Sequence, residues 1–218
     1  MRRGRRSRLP RHEDGRGHRR NGGRGAGQRV SDPRGAAKAS RPRPSPEQRA
    51  DRSQQALTAL EGLRASLLRE VDRIAKEPAA DASPSHICCT RARNQMRISP
   101  LEARAIAEAL RSEKLREHLP SVLERLRQEL DGLADSSARQ NFDCPLLEGT
   151  RCLVHRVAKP IGCLAWNSGR DFSTSAWDSF ASRDVLNDEQ YGPDWKLRVI
   201  PLWLRRVLAE ELAKAPTR

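Results

Sequence analysis

The stretch from 99 to 133, SPLEARAIAEALRSEKLREHLPSVLERLRQELDGL, contains the start signals and the apolar spacing of two amphipathic helices. Ser99 can cap the first helix, Pro100 suits its first turn, and Glu102 can reach back to the cap. Pro120 opens the second helix. The apolar residues of both helices recur at steps of three and four, which places them on one face. We therefore predict a helical hairpin with polar outer faces, whose inner residues are Leu101, Ala105, Ile106, Leu110, Val122, Leu123, Leu126, Leu130 and Leu133.

Upstream of this hairpin, a stripe of apolar residues predicts another amphipathic helix. The stripe runs from Leu57 to Ile74 at helical spacing. Ser45, followed by a proline and then a glutamine, provides a capping start. We assign 51–78 as an amphipathic helix that packs on the domain, because the stripe spans fewer than three heptads. Pairing with a partner helix is the alternative.

Downstream, the pattern is less regular. The segment 76–86, KEPAADASPSH, is expected to be a linker, and RCLVHRV (151–157) is the only short strand candidate. A last amphipathic helix is predicted from about 197 to 213. The region before it is expected to be irregular, and the tryptophans in and after it to close the core: Trp166, Trp177, Trp195 and Trp203, with Tyr191 in the same region. The predicted fold class is mostly α, a small helical domain with few or no strands.

The positive charge of the chain is concentrated in its first fifty residues. Residues 1–50 hold 15 Arg and one Lys against four acidic residues, a net charge of +12, whereas the whole chain carries +14. This segment is rich in Gly and Pro and poor in apolar residues, so we predict a disordered basic tail. Arginine clusters neutralise phosphates, which makes non-specific polyanion binding one reading of the tail. A merely solvated extension is the other.

Membrane and export signals are not evident in the sequence. No apolar segment follows the arginines near Met1, and no run of about 18 apolar residues occurs anywhere. We therefore expect a cytoplasmic protein with no membrane partner. Thiols stay reduced in that compartment, where clustered cysteines more often bind metal or react than form disulfides.

Five cysteines define the candidate site. Two are adjacent in HICCT (86–90), and three fall within NFDCPLLEGTRCLVHRVAKPIGCLAW (141–166). Prolines and glycines between the last three supply turns that can aim several sulfurs at one point, as a tetrahedral thiolate site requires. A hairpin that carries the chain out and back would bring the two groups together. The candidate metal ligands are Cys88, Cys89, Cys144, Cys152 and Cys163.

These motifs resemble the YkgJ-type cysteine-cluster family, whose members are described as zinc- or iron-chelating domains. The family pattern begins with C-x-x-C-C and a helical segment, and continues with C-P-x-L, G-x-C and a basic residue before P-x-x-C. The chain offers HICC (86–89), CPLLEGTRCLVH (144–155) and KPIGC (159–163). The resemblance covers about 85–170 and departs from the pattern at Ser85, where the family has its first cysteine. It implies a YkgJ-like domain over 85–214.

The resemblance implies a metal-binding protein that holds zinc, iron or an Fe–S cluster through thiolates. Adjacent side chains point apart, so Cys88 and Cys89 are not expected both to bind one ion. We expect Cys89 to act with the three later cysteines, and Cys88 to be an alternate ligand. His155 could be a nitrogen ligand, but packing or a hydrogen bond is the preferred role. The protein need not be an enzyme, since no hydrolase, zinc-protease or Walker motif is present.

Three other readings of the cysteines and the tail stay open at this point. An Fe–S-dependent redox enzyme would use the same thiols for electron transfer. A nucleic-acid-binding protein would act through the Arg-rich tail. The cysteines could also be small buried hydrophobes, since cysteine is among the most buried residue types. Nucleophilic chemistry at the 88–89 pair lacks a positioned base in the sequence.

Overall fold

The computed structural model describes residues 45–74, 76, 87–132, 141–166 and 174–214, which belong to one unit of the chain. The mostly helical fold class is confirmed. The predicted basic tail, except for 45–50, and the linker except for Lys76 lie outside the described residues. The helices of the described chain are α1 Pro46–Ile74, α2 Pro100–Arg111, α3 Leu119–Gly132, α4 Ile161–Trp166, α5 Thr174–Tyr191 and α6 Ile200–Lys214.

The described strands are four segments of two residues each. β1, Arg97–Ile98, pairs antiparallel with β4, Arg198–Val199, and fastens the start of α2 to the start of α6. β2, Leu147–Glu148, pairs with β3, Arg151–Cys152, as a small hairpin. Only the first two residues of the predicted strand 151–157 are therefore extended, and turns follow them.

Two helix starts follow their sequence signals. Ser45 Oγ accepts a hydrogen bond from the amide of Gln48 at 3.2 Å, and the Gln48 side chain accepts one from the Ser45 amide at 2.9 Å. α1 thus begins at Pro46, before the predicted boundary at 51, and it ends at Ile74 rather than 78. Ser99 and Glu102 form the same reciprocal cap at α2, as predicted, with Pro100 in the first turn.

Apolar packing forms two clusters. The larger joins α2, α3 and α6 with the cysteine-bearing segments, and Phe142, Ile106 and Leu204 are fully buried in it. The smaller packs the leucine stripe of α1 against α4, α5 and Leu101, so α1 packs on its own domain, as predicted. α2 and α3 each make their most extensive helix contacts with α6 and contact each other little, so within the described residues the two helices pack on α6 and not on each other as the predicted hairpin requires.

The region after the last cysteine is helical, not irregular as predicted. α4 and α5 together cover most of its described residues. Trp166 and Trp177 are 54% and 60% exposed, so their predicted core role is wrong, whereas Trp203 is buried and donates to the carbonyl of Lys196 at 2.9 Å. None of the helices within the described ranges has the length and apolar character needed to cross a membrane.

Candidate metal centre

The corner that carries Cys88 and Cys89 is joined directly to the segment that carries Cys144. Ile87–Cys89 forms one turn of 3-10 helix. The amide of Cys144 donates to the carbonyl of Cys89 at 2.8 Å, and the amide of Phe142 donates to the carbonyl of Asn94 at 3.2 Å. Sequence positions more than fifty residues apart are therefore held side by side by backbone hydrogen bonds.

Ion pairs among Arg91, Glu129 and Asp143 stabilise the junction between the Cys88–Cys89 corner and the Cys144 segment. Arg91 donates to both carboxylate oxygens of Glu129, on α3, at 2.7 and 2.8 Å. The Arg91 amide donates to the Asp143 carboxylate at 2.6 Å, and the Asp143 amide donates to Glu129 at 3.2 Å. Glu129 is buried, so its charge is matched by Arg91 and by a backbone amide. These bonds tie three elements together next to Cys89 and Cys144.

Cys152 is positioned by the small hairpin. It lies at the end of β3, opposite Leu147, and is partly buried. Gly149 provides the turn with a φ of 56°, a left-handed conformation that glycine adopts without steric cost. After the hairpin, the Leu153 amide donates to the Leu146 carbonyl at 2.9 Å and directs the chain into the turns that lead to α4.

Cys163 differs from the other four cysteines because it lies on a regular helix, α4, and is buried. We predicted that loops carry all the site cysteines, but one of them, Cys163, lies on a helix. Glu102 forms the capping box of α2 with Ser99. Its carboxylate also accepts a hydrogen bond from the amide of Ile161 at 2.9 Å and so caps α4. Gly162 lets α4 lie close to Met96, since a Cβ at this position would come within 2.8 Å of the Met96 sulfur. The start of α2 thus fixes the position of Cys163.

All five predicted site residues pack in one cluster. Cys88 and Cys89 have their sulfurs 3.8 Å apart, and the Cys89 thiol also shares a hydrogen bond with Cys144. Cys152 and Cys163 lie close enough to interact electrostatically with each other and with the 88–89 pair. None of the five forms a disulfide within the described residues. Four chain segments therefore contribute thiols to one mostly buried region.

Without a bound cation these thiols are poor nucleophiles. The hydrogen bond that the Cys89 thiol donates to Cys144 raises the pKa of Cys89 from 9.0 to about 11, and burial raises the pKa of Cys152 to about 11. Hydrogen bonding to Cys89 raises the pKa of Cys88, and burial raises that of Cys163. These four thiols are therefore protonated at neutral pH, which argues against nucleophilic chemistry at the 88–89 pair.

Lys159 supplies positive charge to the cluster. Lys159 is buried, and its ammonium lowers the pKa of Cys88, Cys89, Cys152 and Cys163, although burial and hydrogen bonding outweigh it. Lys159 Nζ lies 3.0 Å from His155 Nδ1. Burial and Lys159 lower the pKa of His155, so the neutral imidazole accepts this hydrogen bond. The hydrogen-bonding role preferred for His155 is the one observed.

The cluster is not preformed as a metal cage. Among residues 45–74, 76, 87–132, 141–166 and 174–214, no three His, Cys, Asp or Glu side chains are arranged so as to hold a metal ion. The donor chemistry does suit a soft or borderline cation: thiols from four segments share one core cluster, and a buried ammonium can offset the charge of several thiolates. Binding would require the thiols to lose protons and turn toward one point.

The pH dependence of the metal-free protein follows from the raised thiol pKa values. A thiol whose folded pKa lies above its unfolded value stabilises the fold below the unfolded pKa, and loses that contribution as pH rises through the folded pKa. With Cys89 and Cys152 at about 11, we expect the free energy of unfolding of the metal-free protein to fall by about 2 kcal/mol between pH 9 and 11. Urea titrations across this window measure it.

The matched control for that titration is Cys152→Ala. Lysines and tyrosines also titrate in this window, but they do so in both proteins. The control should therefore lose less stability between pH 9 and 11 than the parent protein. Identical pH profiles for the two proteins would contradict the assignment of a raised pKa to Cys152.

Two features of the site were missed in the sequence. In the sequence Lys159 is recognisable only as part of the KPIGC motif (159–163), because the spacing of residues does not show that a lysine is buried. Glu102 was assigned one cap, whereas it also caps α4 and lies 3.6 Å from Arg183 of α5. The contact between Glu102 and Arg183 has no signal in the sequence, because α5, the helix that carries Arg183, is not predicted from it. Comparison of the chain with protein-family models, with curated proteins and with solved structures finds no match.

Proposed function

We propose that this chain is a metal-binding protein that holds zinc, iron or an Fe–S cluster through cysteine thiolates. The observation that carries the proposal is that five cysteines without disulfides, from four chain segments, lie in or against one core cluster. Isolated buried cysteines would not need to share one location. The YkgJ-like motifs support the same proposal, and a reducing, cytoplasmic location would keep the thiols available.

Cation binding is expected to reverse the electrostatics of the cluster. Thiolates, not thiols, bind metals, so each ligand must release its proton on binding. A divalent cation among the sulfurs favours the thiolate far more strongly than Lys159 does alone. A bound Zn²⁺ would supply a structural tetrahedral link between the segments, whereas iron or an Fe–S cluster would also supply redox chemistry.

The proposed ligands are Cys89, Cys144, Cys152 and Cys163. Cys89 and Cys144 already share a hydrogen bond, and their segments are joined through the backbone. Cys88 is an alternate ligand, since its sulfur is 3.8 Å from that of Cys89 but belongs to the adjacent residue. Lys159 would lower the cost of burying several thiolates, because an ionised group without a compensating charge is expensive to bury.

Substitution of single cysteines tests this ligand set. We expect Cys163→Ala to weaken zinc affinity by more than about a hundredfold, because changes outside the ligand shell already cost about ten- to hundredfold. Cys88→Ala, the matched control, should retain affinity within about tenfold. Competition with a chromophoric chelator measures both. Equal losses in the two variants would contradict the assignment of Cys88 as dispensable.

An Fe–S redox enzyme is the second candidate. The observation that favours it is Lys159, whose buried positive charge would stabilise the more negative, reduced form of a thiolate-bound cluster. Protein purified without air should then absorb visible light and bleach reversibly with dithionite. A colourless protein containing stoichiometric zinc would eliminate this candidate and leave the structural-metal proposal in place.

A further inference from the structure

A cavity of about 390 Å³ lies beside the cysteine cluster. Two of the cysteines, Cys89 and Cys152, are among the residues that line it. The ionisable residues that line it are otherwise basic, and no Asp or Glu is among them: Lys114, Arg151, His155, Arg156 and Lys159. The cavity therefore concentrates positive charge over a small volume.

Two of these cations have no carboxylate partner. Arg156 is paired with Asp72 at 2.6 Å, and Lys159 donates to His155. Lys114 and Arg151, by contrast, make no ion pair with any residue that the structure describes. The side chains of Lys114 and Arg151 are exposed, so solvent screens their charges in part, but like charges gathered around one cavity still repel one another and attract anions. A bound anion would relieve this repulsion.

The size and chemistry of the cavity define the class of ligand. Its volume falls at the lower end of the range for small-molecule sites, about 300–1,000 Å³. The guanidinium of Arg151 can bind a phosphate or carboxylate through two parallel hydrogen bonds, and Lys114 adds a second donor. Thr150 supplies a hydroxyl in the same wall. These donors suit a small polyanion rather than an apolar molecule.

We propose that this cavity binds a small molecule carrying a phosphate or carboxylate group, held by Arg151 and Lys114 next to the Cys89 and Cys152 thiols. The proposal goes beyond metal binding and does not rest on it. It depends on the cations that line the cavity and not on whether the thiols bind a metal. It places an anionic compound in contact with the sulfur cluster.

Calorimetric titration of the full chain with inorganic phosphate, and separately with succinate, tests the proposal. We expect saturable binding of at least one probe at one site per chain. Arg151→Gln and Lys114→Gln should each weaken that binding about tenfold. Arg205→Gln, which removes an exposed cation that does not line the cavity, should leave it unchanged. A stronger response to phosphate or to succinate identifies the preferred anionic group.

Alkylation of Cys152 localises the binding, since the Arg-rich tail can also attract anions. Saturating probe should slow the reaction of the Cys152 thiol with iodoacetamide several-fold in the parent protein and in Arg205→Gln, but not in Arg151→Gln. Mass spectrometry of the modified peptide measures the rate. The proposal is overturned if neither probe binds saturably, if all three variants bind alike, or if bound probe leaves the Cys152 rate unchanged.

Discussion

Removal of the proposed metal ion should lower the melting temperature of the protein by about 10 °C. A ligand that binds only the folded state stabilises it by about 4 kcal/mol when its free concentration is a thousand times the dissociation constant. A domain of this size gains about 2–4 °C for each kcal/mol. The proposed ion would link the 88–89 corner, the Cys144 segment, β3 and α4, so its loss removes a tie between segments far apart along the chain.

Differential scanning calorimetry before and after chelation measures this effect in protein whose metal content is known. Cys163→Ala is the control, because a protein that binds the ion more weakly should lose fewer degrees of melting temperature on chelation than the parent protein does. Restoring zinc to the stripped parent protein should restore the original melting temperature. If chelation of a fully loaded sample leaves the transition where it was, the ion has no structural role.

Glu102→Ala should destabilise the fold by about 3–5 kcal/mol. The Glu102 carboxylate is buried and accepts the amides of Ser99 and Ile161, at 2.8 and 2.9 Å, which are donors at the starts of α2 and α4. It also lies 3.6 Å from Arg183, whose side chain is only 5% exposed. Alanine would leave these amides without acceptors. It would also leave buried Arg183 without its buried carboxylate partner, so that only the half-exposed Asp184 would balance its charge.

Glu108→Ala is the matched control for Glu102→Ala, since Glu108 lies on the same helix in an exposed pair with Arg104. Such i,i+4 pairs contribute about 0.3–0.5 kcal/mol. Urea unfolding compares the two variants. Because Glu102 caps the helix that carries Cys163, Glu102→Ala should also weaken zinc binding, which Glu108→Ala should not. Equal stability of the two variants would contradict the pivotal role of Glu102.

The parts of the fold that the sequence predicted are those encoded by local chemistry. The caps at Ser45 and Ser99 depend on residues within three positions of each other, so short-range reasoning was sufficient. The predicted convergence of the cysteines depends on the return of the chain after α3, and this return is seen in the hydrogen bond between Cys144 and Cys89. The position of Cys163 on α4 was not predicted.

α5 was missed because its polarity is reversed relative to an ordinary surface helix. Its buried positions include Ser179, Arg183 and Asn187, while Trp177 and Val185 are exposed. Apolar periodicity therefore fails along its length, although every turn is helical. Asn187 accepts the amide of Leu101 at 3.1 Å and donates to the carbonyl of Arg183 at 2.8 Å. Such a helix is specified by partners distant in sequence, which a local pattern does not contain.

The interior position of Lys159 depends on the same kind of distant contact. Its carbonyl accepts a hydrogen bond from buried Arg64 of α1 at 3.1 Å, a residue 95 positions away. α1 therefore helps to fix the segment that carries the ammonium into the cysteine cluster. The sequence shows a lysine before Pro160, but only tertiary structure shows that it is inside.

X-ray absorption at the metal edge of the loaded full-length protein tests the central claim most directly. We expect a zinc-loaded sample to give a first coordination shell of four sulfurs at about 2.3 Å, and Cys163→Ala to lose one of them. A shell made of nitrogen or oxygen at about 2.0–2.2 Å would contradict thiolate binding by this cluster, as would a sulfur count unchanged in Cys163→Ala.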